Sequence, residues 1–224
     1  MERRYERNIG TLSIEEQKLL QGKRVCIVGC GGLGGYILEY FLRLGIGAIT
    51  VLDGDRMEES NWNRQILCTE KNLGCKKAEE AKKRALEINT IVKVKEVSEF
   101  LTKENAEELL KNHDLILDAL DNIQSRKWMG EACRKLKIPI IYGAIEGWYA
   151  QISLIMPDSN LLDILYQEYN RINNKSTLSF VPALCASYQV AEAVKYLCGK
   201  SCILENKVLY VDLFTMDTEI ISLS

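Results

Sequence analysis

Glycines with a characteristic spacing could bind a phosphate group. Gly29, Gly31 and Gly34 follow the short apolar stretch 24–28 and form the pattern G-x-G-x-x-G. The first glycine of such a pattern permits a tight turn, the second lets the backbone approach a phosphate, and the third lets a helix pack closely on a strand. The N-terminus of the helix that follows would offer N–H groups and a partial positive charge to an anion. The spacing therefore predicts a nucleotide-binding loop.

Carboxylates and cations after this loop extend the set of residues that could bind a nucleotide. A second apolar stretch, residues 48–52, ends in Asp53, which is placed to accept hydrogen bonds from a ribose. The polar stretch 54–65 fits a loop and a short helix beside the nucleotide. Lys77 opens the next predicted helix, and Asp121 follows a buried strand further on.

All of these groups should meet at one edge of the sheet, because ligands of open parallel sheets bind at the carboxyl ends of the strands. Two cations beside a phosphate loop, with an isolated carboxylate, suit a triphosphate and its Mg²⁺ ion. A dinucleotide dehydrogenase would instead need a general acid, usually His or Lys. The only histidine, His113, precedes a buried strand and is expected at the surface, on the side of the sheet away from this edge.

Alternating strand and helix patterns must position these residues. The predicted strands are residues 24–28, 48–52, 92–97, 114–119, 138–142, 148–155, 209–214 and 219–223. The predicted helices are residues 14–20, a helix from the glycine loop to residue 44, and residues 76–89, 103–111, 125–137 and 180–197. Such alternation requires a parallel sheet with right-handed crossovers. Strand 148–155 has no crossover helix before it, so we expect it to pair antiparallel.

The pattern predicts an α/β fold: a Rossmann-like, mostly parallel sheet with helices on both faces, extended by antiparallel strands at the C-terminal end. We expect one domain over residues 1–224, with an N-terminal arm and helix (1–22), a nucleotide-binding half (23–145) and a half with antiparallel strands and a crossover loop (146–224). Residues 156–179 are polar, and their apolar residues show only weak periodicity. A connection of this length in a compact domain is usually either functional or mobile.

Composition argues against several classes of protein. The 224 residues suffice for one large α/β domain, and a net charge of −2 gives no basic excess for binding nucleic acid. No apolar run approaches the roughly 18 residues of a membrane span, and the N-terminus lacks the apolar core of a signal peptide. We therefore expect a cytoplasmic protein with no nucleic-acid or membrane partner.

The eight cysteines are expected to be mostly plain thiols. No pair has the C-x-x-C spacing of a zinc or redox site, and a reducing cytoplasm disfavours disulfides. Cys26 and Cys133 fall on a buried strand and a helix, where cysteine behaves as a small hydrophobic residue. Cys198 and Cys202 lie on either side of a helix end at Gly199 and make only a weak metal site.

Short motifs, in order along the chain, resemble one family. They are RYER at 4–7, GCGGLGG at 29–35, LDGD at 52–55, SNWNRQ at 60–65, GCKKA at 74–78, DALDN at 118–122 and AEAVKYLCG at 191–199. Together they resemble the ThiF/MoeB/HesA group of sulfur-carrier protein adenylyltransferases, which is related to ubiquitin-activating enzymes. The glycine loop, SNxxRQ and DAxDN are highly specific in combination.

The resemblance implies ATP-dependent adenylation of the C-terminal Gly-Gly carboxylate of a small ubiquitin-like sulfur carrier of the ThiS or MoaD type. The products would be the carrier acyl-adenylate and pyrophosphate, for sulfur incorporation into thiamin or molybdopterin. Residues 146–224 would form the carrier-binding half, and the enzyme would be a homodimer. The identity of the carrier stays open.

The resemblance also assigns roles to residues in the nucleotide site. Asp53 would hold the ribose, whereas Asn61, Arg64 and Lys77 would bind phosphates, with Gln65 as a support in the same motif. The full set expected to bind ATP is Gly29, Gly31, Gly32, Leu33, Gly34, Asp53, Asp55, Asn61, Arg64, Gln65, Lys77, Asp121 and Asn122.

Two further roles follow from the resemblance. Asp121 would hold Mg²⁺, and Arg7 would reach the phosphates in the partner subunit's site. The residues expected to act on the reaction itself are Arg7, Arg64, Lys77 and Asp121. Plainer interpretations stay open: Lys77 as a solvated helix lysine, Arg7 as a charge on a disordered arm, and Asp121 as a helix cap. Asp55 and Asp118 could be structural or supporting carboxylates.

The chain departs from the family in its cysteines. Many relatives carry two C-x-x-C pairs that bind zinc, but here no cysteine lies between Cys133 and Cys185 and none follows Cys202, so no zinc site is expected. Some relatives use a crossover-loop cysteine for a persulfide or thioester. Residues 156–179 contain none, and Cys185 is expected to be packed rather than nucleophilic. We therefore expect this chain to stop at the adenylate.

Two other functions share some of these features. An NAD-dependent oxidoreductase could use the same glycine loop, and it would bind NADH tightly without responding to ATP. A non-catalytic module could hold a ubiquitin-like tail without turnover. Such a module would need no group of phosphate-binding and metal-binding residues, so Arg64, Lys77 and Asp121 together argue against it.

Overall fold

A computed structural model describes residues 2–167 and 176–223 of the chain. In these residues a single sheet has the strand order β3-β2-β1-β4-β5-β6-β7-β8. Its strands are β1 Arg24–Val28, β2 Ala48–Leu52, β3 Lys93–Val97, β4 Leu115–Asp118, β5 Ile140–Glu146, β6 Tyr149–Ile155, β7 Val208–Asp212 and β8 Asp217–Ile221.

The sheet is parallel on one side and antiparallel on the other. Strands β3, β2, β1, β4 and β5 run parallel to their neighbours. Strands β5, β6, β7 and β8 pair antiparallel. The change occurs at β5, which is longer than the predicted strand 138–142 and turns at Gly147 directly into β6. The predicted fold class is confirmed.

Helices cover both faces of the sheet. They are α1 Ile14–Gln21, α2 Gly32–Leu44, α3 Lys77–Ile88, α4 Ala106–Leu110, α5 Ile123–Leu136, α6 Leu161–Leu165 and α7 Phe180–Leu197. Side chains of α1, α2, α3 and α7 form one core, and those of α4, α5 and α6 form the other. Along β1, Val25 and Ile27 point into the first core and Cys26 and Val28 into the second, as strand geometry requires.

Two helices, α4 and α5, begin two or three residues away from their predicted starts, because polar side chains form hydrogen bonds there. Helix α4 begins at Ala106 rather than 103, since Asn105 Oδ1 accepts a hydrogen bond of 2.8 Å from the Thr102 N–H and closes a turn there. Helix α5 begins at Ile123 rather than 125, since the Asn122 side chain caps it. Such local bonds compete with helical ones.

The long polar run 156–179 contains one short helix. Helix α6 buries Leu161 and Leu162 against the second core. Residues 168–175 of this run lie outside the described residues. In the described ranges 2–167 and 176–223, every helix is too short or too polar to cross a bilayer.

Candidate nucleotide-binding site

The glycine loop connects β1 to α2 and has the geometry that its spacing predicts. Gly29 has a φ of +102°, a region that favours glycine, and its N–H donates to the Leu52 carbonyl at 2.8 Å. A Cβ atom on Gly29 would lie 2.5 Å from the Ala119 carbonyl oxygen, and one on Gly34 would collide with the Gly29 carbonyl. The first and third glycines are therefore required by the tight turn and by the close approach of helix and strand.

Gly31, the middle glycine, differs from the other two because no atom of the described residues lies close to the position of its Cβ. A Cβ atom on Gly31 would have the Gln65 side-chain nitrogen, 3.6 Å away, as its nearest neighbour. Gly31 is the N-cap residue of α2, so the free N–H groups of the first turn follow it. This space beside a helix N-terminus, which a Cβ would partly fill, fits the backbone approach of a phosphate.

Asp53 is fixed beside the loop at the end of β2. Its Oδ2 accepts a hydrogen bond of 2.6 Å from the Cys30 N–H, and its Oδ1 accepts one of 2.8 Å from the Asp55 N–H. Burial raises the pKa of Asp53, although the Cys30 hydrogen bond and the charge of Lys77 oppose the shift. A carboxylate oxygen can accept more than one hydrogen bond, so Asp53 can still receive the hydroxyl groups of a sugar.

Lys77 is a buried cation, not a solvated helix lysine. Only 7% of it is exposed, and its Nζ lies 3.2 Å from Asp55 Oδ2. The Lys77 N–H also donates to the Asp55 carbonyl at 3.0 Å. A buried ammonium group is costly unless it is paired. Asp55 therefore supports Lys77 from the solvent side, which agrees with its interpretation as a supporting carboxylate.

The SNWNRQ segment lies over the glycine loop. The polar stretch 54–65, to which it belongs, contains the 3-10 helix Glu59–Asn61, so the expected loop and short helix are present. The Arg64 carbonyl lies 3.7 Å from the position of a Cβ on Gly32. Arg64 Nη1 donates to the Ser60 carbonyl and to Asn63 Oδ1, both at 2.8 Å. A guanidinium group has five N–H donors, so these bonds orient Arg64 without using all of them.

Two amides of this segment are buried next to the loop. Asn61 is 6% exposed, and its Oδ1 accepts from the Glu58 N–H at 3.1 Å. Gln65 is 5% exposed, and its Oε1 has no hydrogen-bond partner in the described part of the chain. A buried polar atom without a partner is costly. The Gln65 amide, beside Gly31, is therefore a candidate ligand contact.

Asp121 and Asn122 follow β4 at the same edge of the sheet. Asp121 is exposed, whereas the side chain of Asn122 accepts a hydrogen bond of 2.8 Å from the Ser125 N–H. The helix cap is therefore Asn122, so the interpretation of Asp121 as the cap was wrong. Asp121 does not serve as the cap of α5.

The fold does not bring Arg7 to the glycine loop of its own chain. Arg7 lies on the 3-10 helix Arg3–Asn8, and the Asn8 side chain is 3.4 Å from the Leu44 carbonyl at the C-terminal end of α2. The glycine loop is at the other end of α2, roughly 18 Å away at about 1.5 Å per residue. Arg7 is exposed, but it belongs to an ordered 3-10 helix, so the interpretation as a disordered arm was wrong.

His113, Cys26 and Cys185 have no role in the proposed chemistry of the site. His113 lies at the amino end of β4, as expected, but it is partly buried, with Nε2 2.8 Å from Thr50 Oγ1. The expectation of a surface residue was therefore wrong. Burial raises the pKa of Cys26 to about 12 and raises that of Cys185 well above its ordinary value. Cys185 is thus packed and not nucleophilic, as predicted.

A metal ion would have to be bound here together with phosphate oxygens. In the described residues, no group of three or more His, Cys, Asp and Glu side chains could hold a metal. The exposed carboxylate of Asp121 fits Mg²⁺, which is usually held by one or two carboxylates plus substrate phosphates. The donor set is therefore suited to a metal that arrives with a nucleotide.

Sequence reasoning missed a buried cluster directly beneath the site. Arg126 on α5 pairs with Asp118 at 3.1 Å, and Gln189 on α7 donates to the Asp118 carbonyl at 2.8 Å. The sequence does contain an indication of this cluster. Arg126 is spaced three and seven residues from Met129 and Cys133, so it falls on the apolar face of its helix. An arginine at such a position needs a buried partner.

The sheet, the glycine loop and the surrounding polar groups define an α/β protein of the nucleotide-binding class. The sequence profile of the ThiF family matches residues 5–224. The chain belongs to the ThiF family.

Curated relatives agree with this assignment. The chain is 30% identical over 224 residues to the SAMP-activating enzyme E1 of Haloferax volcanii, covering 96% of the chain and 83% of that protein. It is 29% identical to the molybdopterin-synthase adenylyltransferase of Haemophilus influenzae, covering 99% of the chain and 95% of that protein. It is 39% identical over 140 residues to the sulfur carrier protein adenylyltransferase of Thermus thermophilus, covering 62% of the chain but only about half of that protein, 52%.

A solved structure shows the same fold. Escherichia coli MccB, crystallised with succinimide, superposes with a TM-score of 0.87 at 22% identity, covering 99% of this chain and 72% of that one. The agreement extends over the antiparallel strands as well as the nucleotide-binding half. Homologues of this chain are thus sulfur carrier protein and molybdopterin-synthase adenylyltransferases, on a shared fold.

Proposed function

We propose that this protein is an ATP-dependent adenylyltransferase, which activates the C-terminal Gly-Gly carboxylate of a small ubiquitin-like sulfur carrier. Its family and the names of its relatives support this reaction class. Another protein of the same fold, MccB, has been solved with ATP. The carrier belongs to the ThiS or MoaD type, for thiamin or molybdopterin synthesis, and residues 146–224 form the half that binds it.

One observation carries this proposal: a sugar acceptor, a buried cation and an arginine segment converge on one glycine loop. Asp53 accepts a hydrogen bond from the Cys30 N–H, and the buried Lys77 lies next to Asp55. The backbone carbonyl of Arg64 lies 3.7 Å from the position of a Cβ on Gly32. A dehydrogenase has no need of two cations beside the phosphate loop. A triphosphate does, because its charge and that of departing pyrophosphate must be stabilised.

In this reaction each group has a distinct task. The residues of the loop and of the α2 N-terminus (Gly29, Gly31, Gly32, Leu33 and Gly34) cradle the phosphates, and Asp53 binds the ribose hydroxyls. Arg64 and Lys77 face the β- and γ-phosphates, with Asn61 and Gln65 as hydrogen-bonding supports. Asp55 holds Lys77, and Asn122 holds the loop of Asp121.

The chemistry needs neither a general acid nor a general base. The carrier's terminal carboxylate is already ionised near neutral pH, and one of its oxygens attacks the α-phosphorus of ATP. A new oxygen–phosphorus bond forms while the bond from the α-phosphorus to the bridging oxygen breaks, and pyrophosphate leaves with the electron pair. Alignment and positive charge at the leaving group supply the acceleration. The site accordingly uses Arg, Lys and Asp rather than His.

Mg²⁺ would be held by Asp121 together with phosphate oxygens and would neutralise charge on the triphosphate. Asp121 positions these phosphates at the carboxyl end of β4, opposite Asp53 at the end of β2. The protein side of this arrangement is fixed by the turn that Asn122 caps.

The active unit is a homodimer in which Arg7 serves the partner subunit's site. The position of Arg7 at the far end of α2 supports action in trans, because it is roughly 18 Å from its own glycine loop at about 1.5 Å per helical residue. An arginine in trans would add positive charge at the phosphates, as arginine fingers do in phosphoryl transfer.

The test is isotope exchange between pyrophosphate and ATP in the presence of purified small proteins that end in Gly-Gly. We expect exchange that requires both the carrier and Mg²⁺, and that disappears when the two terminal glycines are deleted. Tight binding of NADH with no heat on titrating ATP would instead favour an oxidoreductase. Carrier binding without exchange would favour a non-catalytic module.

A further inference from the structure

A buried ion pair lies beneath the candidate site, away from the groups proposed to touch ATP. Asp118, the last residue of β4, is 0% exposed, and Arg126 on α5 is 7% exposed. Arg126 Nε lies 3.1 Å from Asp118 Oδ2. Taking two charges out of water offsets much of their attraction, so stability alone is a weak reason for such a pair. Its other contacts indicate what it does.

The Arg126 guanidinium joins three separate parts of the chain. Its Nη2 donates to the Leu120 carbonyl at 2.5 Å and to the Gly143 carbonyl on β5 at 2.8 Å. Its Nη1 donates to the hydroxyl of Tyr166, the residue that ends α6. A planar guanidinium with donors in a rigid fork holds several acceptors in one fixed arrangement. Arg126 therefore sets the spacing between the end of β4, β5 and α6.

The loop that carries Asp121 takes its shape from this pair. The Leu120 N–H donates to Asp118 Oδ1 at 3.0 Å, while the Leu120 carbonyl accepts from Arg126. Asp121 follows directly, and Asn122 is held as the cap of α5. The backbone on both sides of Asp121 is thus fixed by groups that lie below the loop.

Tyr166 accepts from Nη1 of the guanidinium, whereas the Leu120 carbonyl of the loop accepts from Nη2. The Tyr166 hydroxyl also lies 2.9 Å from the Tyr142 hydroxyl, which donates to Gln151 on β6 at 3.1 Å. The two rings meet edge to face, and the Arg126 guanidinium lies over both. A change in the position of α6 therefore reaches Arg126 through Tyr166, whose hydroxyl group is the acceptor that fixes Nη1.

We propose that Arg126 is a positioning residue for adenylation, and that the Tyr166 hydroxyl couples the Asp121 loop to α6. The consequence for catalysis rests on the proposed function, but the coupling itself does not. Arg126 acts through the loop and contacts neither nucleotide nor carrier. Helix α6 and the carboxylate of Asp121 then change position together.

Tyr166→Phe tests the coupling, because it removes the hydroxyl and keeps the ring. The matched control is Tyr188→Phe, which removes a hydroxyl from an exposed tyrosine on α7. Hydrogen exchange of the nucleotide-free protein reports the result without any activity measurement. We expect the Leu120 N–H to exchange about threefold faster or more in Tyr166→Phe, with β1 unchanged, since only the loop opens. Unchanged exchange at Leu120, or equal acceleration in β1, would overturn the coupling.

Arg126→Lys tests the same idea from the other partner. Lysine keeps the charge opposite Asp118 but lacks the fork that reaches Leu120 and Gly143. We expect the same local increase in exchange at Leu120. Wild-type exchange at Leu120 in this variant would contradict the positioning role.

Kinetics test the consequence. In carrier-dependent exchange of pyrophosphate, we expect Tyr166→Phe to lower kcat and to raise the half-saturating Mg²⁺ concentration about threefold, with the KM for ATP changed less than about twofold. A variant that is merely less well folded would lower the apparent kcat without moving the Mg²⁺ dependence, and that result would overturn the proposal. Failure of the proposed function is distinct, because the wild-type protein itself would then show no carrier-dependent exchange.

Discussion

The carboxylate of Asp53 accepts a hydrogen bond of 2.6 Å from the backbone N–H of Cys30, so the end of β2 is tied to the glycine loop of β1. The bond gives Asp53 two tasks. The Asp53 carboxylate fixes the glycine loop through this hydrogen bond, and we propose that its remaining acceptor capacity binds the ribose. Substitutions that keep this hydrogen bond but weaken the acceptor should separate these tasks.

Asp53→Asn should weaken ATP binding more than it weakens the fold. Asparagine keeps one oxygen for the Cys30 N–H, but its NH2 group replaces the oxygen that accepts from the exposed Asp55 N–H and that is proposed to bind the ribose. We expect the KM for ATP to rise about tenfold, a cost of about 1.4 kcal/mol. Asp53→Ala should also lower the melting temperature, since an unpaired buried N–H costs about 1–3 kcal/mol. Pyrophosphate exchange and thermal unfolding measure the two effects. A wild-type KM in Asp53→Asn would remove the ribose assignment.

The glycine loop allows a second separation of binding from folding. Gly31→Ala should still fold because the site has room for a Cβ, with a loss of about 1–3 kcal/mol of stability because the ψ of −139° lies outside the regions that alanine favours. It should lose most of its ATP binding if a phosphate occupies that room. Gly34→Ala is the contrasting variant, because its Cβ would collide with the Gly29 carbonyl. Calorimetric titration measures ATP binding by each variant, and thermal unfolding measures its stability. Full ATP affinity in a folded Gly31→Ala variant would contradict the assignment of the loop to phosphate binding.

Local patterns made much of the fold and site predictable from the sequence. The glycine spacing fixes a turn and a helix start within a few residues, and Asp53 ends a strand that the same spacing locates. Lys77 lies where the sequence predicted, because it opens a helix at the carboxyl edge of a parallel sheet, and its role in binding phosphate stays a prediction. Each of these features depends on neighbours close in sequence.

Long-range packing could not be predicted in the same way. The partners of Arg126 come from β4, β5 and α6, and no local pattern shows that these meet. Asn122 rather than Asp121 caps α5 because the loop geometry selects one of two adjacent polar residues. The partial burial of His113 likewise depends on Thr50, which lies on a different strand.

Lys77→Met should abolish most of the activity while preserving the fold. The substitution removes a buried charge and fills similar space, and loss of one charge at the pyrophosphate should lower kcat about 100-fold or more. Lys76→Met is the matched control, since the neighbouring Lys76 lies on the helix surface and pairs with Glu79 there. Steady-state exchange kinetics measure both. Equal activity of the two variants would show that Lys77 is structural.

His113 offers a direct test of the electrostatics of the fold. Burial is the main cause that lowers its pKa below the ordinary value, opposed by its hydrogen bond to the Leu110 carbonyl. Since it is the only histidine, its ring signal in a proton NMR titration needs no assignment. We expect a midpoint below about 6.5, the value for an unperturbed histidine.

The same shift predicts how stability depends on pH. Below about pH 6.5, His113 is protonated in the unfolded chain, whereas in the folded chain its lowered pKa keeps it largely neutral. The free energy of unfolding should therefore fall as the solution is acidified toward the pKa of the folded protein. His113→Gln should flatten this part of the profile. Denaturant unfolding of both proteins between about pH 7.5 and 5 measures the difference. An identical slope for the two proteins would show that His113 has an ordinary pKa.

Arg7 can be tested by mixing inactive subunits. Arg7→Ala and Lys77→Met are each expected to be inactive alone. In a mixed dimer, the site that keeps Lys77 would receive an intact Arg7 from the partner, so one site of the two would be complete. Random exchange of subunits makes half of the dimers mixed, and about a quarter of wild-type activity should return if the dimer has two equivalent sites.

The outcome separates action in trans from action within one chain. If Arg7 served its own site, each subunit of the mixed dimer would lack one of the two residues, and no activity would return. Arg3→Ala, an exposed arginine on the same 3-10 helix, is the control and should retain activity. Recovery in the mixture is expected because α2 separates Arg7 from its own glycine loop, whereas a neighbouring subunit can approach that loop from outside. Full activity of Arg7→Ala by itself would instead exclude any role for this side chain.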